Sequence, residues 1–129
     1  MTIKVELSYG EMLDKITILQ IKRERMTDKA KVSNVEKELS LLTALWQADK
    51  NSNIDIEQEI VELKSINEAL WDIEDDIRDK EKAKEFDVNF IELARSVYVT
   101  NDKRAAVKRV INVKLGSDLI EEKSYSDYL

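Results

Sequence analysis

A chain of 129 residues with no proline, two glycines, no cysteine and no histidine is one domain's worth of sequence, with little in it to break a helix. It offers no disulfide, thiol nucleophile, imidazole base or common zinc site, so any chemistry falls to carboxylates, Lys, Arg, Tyr or Ser/Thr. A net charge of −6 argues against nucleic acid as a partner, and the lack of a membrane-length apolar run or signal-peptide pattern predicts a cytoplasmic protein.

Charged residues make up 37% and aromatics 6%, which suits a helical bundle with charged outer faces. The predicted fold is all-α: about five long antiparallel helices behind a short N-terminal strand, one domain over residues 1–129. In the strand, Ile3, Val5 and Leu7 alternate with Lys4 and Glu6, the period of a half-buried strand. No second strand follows, so its edge is expected either to pair with the same strand of another subunit or to stay an extended arm.

Ser8 and Glu11 form a capping box that starts the first helix near Tyr9, to run to about Met26. Tyr9, Met12, Leu13, Ile16, Leu19 and Met26 line one face, while Ile18 and Ile21 point nearly the opposite way. Apolar residues on two sides predict a helix buried twice, either central in the bundle or shared with a second subunit. The second helix, from Asp28–Ser33 to Ala48, carries Val35, Leu39, Leu42 and Trp46, with Leu41 and Leu45 widening the stripe. Residues 49–53 read as a loop.

The third helix, residues 55–82, has Ile56, Ile60, Leu63, Ile66, Leu70, Ile73 and Ile77 as its stripe. After a break at residues 83–86, Asp87 caps a fourth helix with Phe86, Phe90, Leu93 and Val97 inside, and Thr100, Asn101 and Asp102 cap a fifth that ends at Gly116. Residues 124–129 read as a flexible tail.

The charge is unevenly placed: residues 54–92 hold five basic and fourteen acidic side chains, residues 101–114 five basic and one acidic. At 100° per residue, Asn67, Trp71, Glu74 and Arg78 fall along one edge of the third helix's stripe, and Asp72, Asp76 and Asp79 on the solvent side. Glu74 and Asn67 are therefore expected to be partly buried and in need of partners, from Arg78 one turn on or from Arg104 and Lys108 on the last helix. The plainer reading is a buried ion pair that fixes helix register. The functional one is a pocket lined by Asn67, Trp71, Glu74, Arg78, Arg95, Tyr98, Asn101, Arg104 and Lys108, whose Arg forks suit phosphate or carboxylate.

The segments Gly10–Leu19 (GEMLDKITIL), Leu70–Arg78 (LWDIEDDIR), Ala94–Tyr98 (ARSVY), Asn101–Ala105 (NDKRA) and Glu121–Tyr125 (EEKSY) resemble those of an uncharacterised bacterial family of short helical proteins, over nearly the whole chain. The resemblance implies a setting beside tetratricopeptide-type or sugar-transfer modules, and so a link to nucleotide-sugar or cell-surface carbohydrate metabolism. It supplies no activity, no catalytic residue and no cofactor.

Three functions follow as expectations. The first is an accessory or binding module for a small phosphorylated or carboxylated ligand, with no cofactor or metal. The second is a structural helical homodimer that presents a surface to a partner protein, with Trp46 and Trp71 as candidate anchors. The third is a metal-dependent nucleotide pyrophosphatase-like enzyme, with Glu36 and Glu38 on one helix and Glu68, Asp72 and Asp75 on another. Its spacing is poor, since Glu36 and Glu38 point to different faces. The likeness of the first helix to helical chorismate mutases is confined to a generic pattern.

Overall fold

The computed structural model describes every residue from Met1 to Leu129. Four helices account for its regular structure: α1 Tyr9–Arg25, α2 Lys29–Ala48, α3 Glu57–Ala83 and α4 Val88–Leu115. The local signals act where their chemistry requires. The Ser8, Asp28 and Asp87 side chains accept from the backbone N–H of Glu11, Lys31 and Phe90, capping α1, α2 and α4. Gly116 ends α4 at φ 66°, in the left-handed region that costs glycine nothing. The expected reciprocal half of the capping box is absent, because Glu11 turns its carboxylate to Lys108 instead.

Helix α1 lies at the centre. It packs on α2 with one side and on α3 and α4 with the other, while the backbone of α2 comes close to neither α3 nor α4. The burial expected on more than one side of α1 is thus met within one chain. Leu13, Ile16 and Leu19 meet Val35 and Leu39 of α2 and Leu63, Val107, Ile111 and Leu115 of the α3–α4 pair in one continuous core. Because only α1 packs closely on α2, Leu41 and Leu45, the two that widened its predicted stripe, stand exposed.

The α3–α4 hairpin is longer than the body it belongs to. The last buried residue of α3 is Asn67 and the first of α4 is Val107. Beyond those positions the two helices run on as a pair, with Ile73, Ile77, Phe90, Leu93 and Val97 only half-buried between them. Lys80 closes its far end on Glu85 and Asp87, both at 3.0 Å. At the other end Lys114 of α4 donates to Glu59 of α3.

Three expectations are corrected. The break at Thr100–Asp102 does not occur, so the predicted fourth and fifth helices are one, α4, of 28 residues. Cap-forming side chains compete with a helix only locally, and with no proline or glycine to stop it the chain keeps its backbone bonds and its packing on α3. No strand forms at residues 3–7, because the chain holds no second strand for the arm to pair with. Glu74 is not buried: its side chain is 50% exposed and pairs at 3.1 Å with an exposed Arg78. It sits on the projecting part of the hairpin, where no third helix covers the edge of the stripe.

The loop after α2 is tied down from both sides. The Tyr9 hydroxyl donates to Asp49 Oδ1 at 2.8 Å, and Asn51 Nδ2 donates to the Leu115 carbonyl at 2.9 Å. Bonds from the Asn51 N–H and from Tyr9 hold the Asp49 carboxyl below the usual range.

Gly10 sits where α1 and α4 approach most closely. A Cβ there would lie 2.6 Å from the Lys108 carbonyl oxygen and 3.0 Å from Asn112 Oδ1. Alanine normally favours a helix over glycine by up to about 1 kcal/mol. Here overpacking against backbone outweighs that gain, so Gly10→Ala is expected to destabilise the fold by about 1–2 kcal/mol, seen as a lower urea-melt midpoint.

Candidate functional site

The face of α1 that meets the α3–α4 pair carries Asp14, Thr17, Ile18 and Ile21 at helical spacing. Asp14 and Thr17 are fully enclosed, at 5% and 0% exposure. A buried carboxylate requires donors, and Asn67 of α3 supplies one: its Nδ2 donates to Asp14 Oδ1 at 2.9 Å and to Thr17 Oγ1 at 3.1 Å. The Thr17 hydroxyl in turn donates to the Asp14 backbone carbonyl at 2.8 Å. On the α4 side Lys108 Nζ lies 3.8 Å from Asp14 Oδ2, donates to Glu11 at 2.9 Å and reaches Glu121 at 3.2 Å.

Lys108 thus stands among three carboxylates with its side chain 12% exposed. Burial alone would drive its ammonium down, but the hydrogen bonds it donates to Glu11 and Glu121 and the charges of Asp14 and Glu11 outweigh it and hold the group above its ordinary value. The same contact, with Lys123, holds Glu121 below the usual carboxylate range.

Over this polar floor lies a groove of about 410 Å³, walled by Ile18 and Ile21 of α1, Leu70, Trp71, Glu74 and Asp75 of α3, and Asn101 and Arg104 of α4. A wider groove of about 810 Å³ adjoins it on the far side of α4, between Tyr98 and the segment 123–129. Asn101 and Arg104, one turn apart, line both. Arg104 makes one long contact, from Nη1 to Asn67 Oδ1 at 3.4 Å. Asn101 Oδ1 is enclosed and accepts from nothing. The Arg25 guanidinium lies 5.9 Å from the Trp71 ring centre and pairs with Asp72 at 2.7 Å, closing one end of the wall.

Five of the residues singled out in the sequence, Asn67, Trp71, Glu74, Asn101 and Arg104, therefore line one groove, and Tyr98 lines its neighbour. Lys108 belongs to the polar seam beside them. Arg78 and Arg95 lie outside both grooves, occupied with Glu74 and Glu92 on exposed surface. Asp14 and Thr17, the most enclosed polar pair, were not anticipated. Their signal was present in the second face of α1, where they share a stripe with Ile18 and Ile21. The carboxylates weighed for a metal do not converge, since Glu36 and Glu38 are on α2, whose backbone does not come close to the helix that carries Glu68, Asp72 and Asp75.

Replacing Lys108 by Met leaves Glu11, Asp14 and Glu121 facing one another and is expected to cost about 2 kcal/mol at pH 8. Because the folded-state value of Lys108 is raised, its contribution is fully present below the unfolded value of about 10.4 and is lost as pH rises through the folded one. The stability gap between the parent and Lys108→Met should therefore narrow above pH 10.4 in urea melts, and hold constant from pH 7 to 9.

No curated protein and no solved structure matches this chain. The profile of the family of unknown function DUF6165 matches residues 3–129, and the chain belongs to that family.

Proposed function

We propose that the groove between α1, α3 and α4 binds a small molecule bearing a carboxylate or phosphate, and that the protein serves as an accessory binding module in the bacterial cytoplasm. The observation that carries this reading is the state of Arg104. Arg25, Arg78, Arg95 and Arg109 each pair with a carboxylate, and Arg23 is exposed to water. Arg104 alone is half-buried with no carboxylate partner. A partly desolvated guanidinium has five donors in a planar fork, and one long bond to an amide leaves most of them open. A planar or tetrahedral anion satisfies that fork in bidentate fashion.

The surroundings add detail to the ligand. Asn101, one turn before Arg104 on the same wall, offers its side-chain amide to a hydroxyl or amine close to the acid group. Trp71, Leu70, Ile18 and Ile21 give the remainder of the molecule an apolar wall. A hydroxy acid or a phosphorylated polyol meets these demands better than a bare anion. The link to carbohydrate metabolism implied by the family resemblance agrees with that class.

The test is a panel of phosphorylated sugars and hydroxy acids screened by thermal shift, with hits measured by calorimetry. Arg104→Ala is expected to weaken binding of a hit about 10- to 100-fold, the worth of one charged hydrogen-bonding pair. Arg95→Ala, engaged with Glu92 on the surface, should bind as the parent does. Equal binding by Arg104→Ala and the parent would remove this reading.

A further inference from the structure

The arm that precedes α1 is an apolar segment whose backbone and side chains have no partner in the chain. Ile3, Val5 and Leu7 are 84%, 68% and 40% exposed, and no backbone group of residues 1–7 makes a hydrogen bond within the chain. An extended backbone with alternate apolar side chains needs a neighbouring strand. The chain has none to give. Residues 9–25, 29–48, 57–83 and 88–115 are helical, and the segment after α4 is held along that helix by Glu121 on Lys108, Glu122 on Arg109 and Tyr128 on Asp102.

Among the arrangements that pair every residue from Ile3 to Leu7, the arm is complementary to itself in one only. Directly opposed residues of an antiparallel pair point to the same face, so apolar must oppose apolar. That leaves registers centred on a residue. Centring on Lys4 opposes Lys4 with itself, and centring on Glu6 opposes Glu6 with itself; both place like charges in contact. Parallel, in-register pairing does so at both positions. Centred on Val5, the antiparallel pair sets Val5 against Val5, Ile3 against Leu7, and Lys4 of each copy against Glu6 of the other. One face of the ribbon is then wholly apolar, and the other carries two opposite-charge pairs related by a two-fold axis.

From this complementarity we infer that the arm is the contact through which two copies of this chain associate, as an antiparallel two-stranded ribbon centred on Val5. The ribbon gives each arm the backbone partners it lacks and brings the exposed Ile3, Val5 and Leu7 into lateral contact with their counterparts. None of residues 1–7 lines the groove at Arg104, so substitutions in the arm test association without altering that groove's wall.

The chain has no cysteine, which permits a direct test by single substitutions in this chain. Val5→Cys places the only thiols opposite each other at roughly 4.5–5.5 Å between Cα atoms, within disulfide range. Ile3→Cys places them roughly 14 Å apart, four residues along the ribbon. Mild oxidation should link Val5→Cys into a dimer and leave Ile3→Cys unlinked, whereas mixing Ile3→Cys with Leu7→Cys should produce the mixed disulfide. Equal cross-linking of Val5→Cys and Ile3→Cys would overturn the register.

Sedimentation supplies the second measurement. Lys4→Glu and Glu6→Lys, each alone, should weaken self-association about tenfold by opposing like charges at two places. An equimolar mixture of the two should recover the parent's association through a heterodimer with both pairs restored. A parent chain that stays monomeric at millimolar concentration, or single charge reversals that associate as the parent does, would overturn the proposal.

Discussion

The backbone of α1 runs so close to α4 at Gly10 that the glycine N–H donates to Asn112 Oδ1 at 2.7 Å and no Cβ fits between the two helices. This contact sets the height of α1 over the α3–α4 pair, and the remainder of the molecule depends on that height. With α1 seated so low, Asp14 and Thr17, one and two turns further on, are driven into the interface and must find polar partners there. Its outer side is still wide enough to take α2. A helix of 17 residues thereby becomes the middle layer of the bundle, which is why its sequence is apolar on more than one side.

The polar seam beneath α1 carries a cost that an apolar seam would avoid, since well-packed hydrophobic residues are often at least as stable as buried ion pairs. What it adds is a single acceptable alignment. Sliding α1 by one turn would keep its apolar periodicity nearly intact but would take Asp14 away from Asn67 and Lys108. The Asn67 amide is the hinge of this arrangement: its nitrogen serves α1 while its oxygen faces Arg104 of α4. One side chain on α3 thus links the structural seam to the groove above it.

Much of this was legible in the sequence because the signals were local. Caps at Ser8, Asp28 and Asp87, the glycine end of α4 and the loop at Asp49 are decided by side chains within a few residues of the backbone groups they satisfy. Asn67 was also readable, since its place on the stripe coincides with the part of α3 that α1 covers. Glu74 was not, although it lies on the same edge. Helical projection gives the direction in which a side chain points and says nothing of whether another element is there to meet it, and α1 does not extend over that part of the hairpin. The same lack of tertiary information led Thr100, Asn101 and Asp102 to be read as a cap, and Leu41 and Leu45 as core. Asp14 was overlooked for the opposite reason: a lone carboxylate on a charged helix looks solvent-facing until a third helix closes over it.

The departures on α3 and α4 have a common location. Buried positions end at Asn67 on α3 and begin at Val107 on α4, which marks the line where a bundle of packed helices gives way to a projecting pair. Side chains well inside that line are fixed by packing, and those well outside it, such as Arg78 and Arg95, are paired in water at little consequence to stability. Arg104 and Asn101 stand on the line itself. There the surroundings are enclosed enough to raise the worth of a hydrogen bond and open enough to admit a molecule from solution. An arginine placed a turn deeper would have required a carboxylate to fold, and one placed a turn further out would hold an anion only as weakly as water permits.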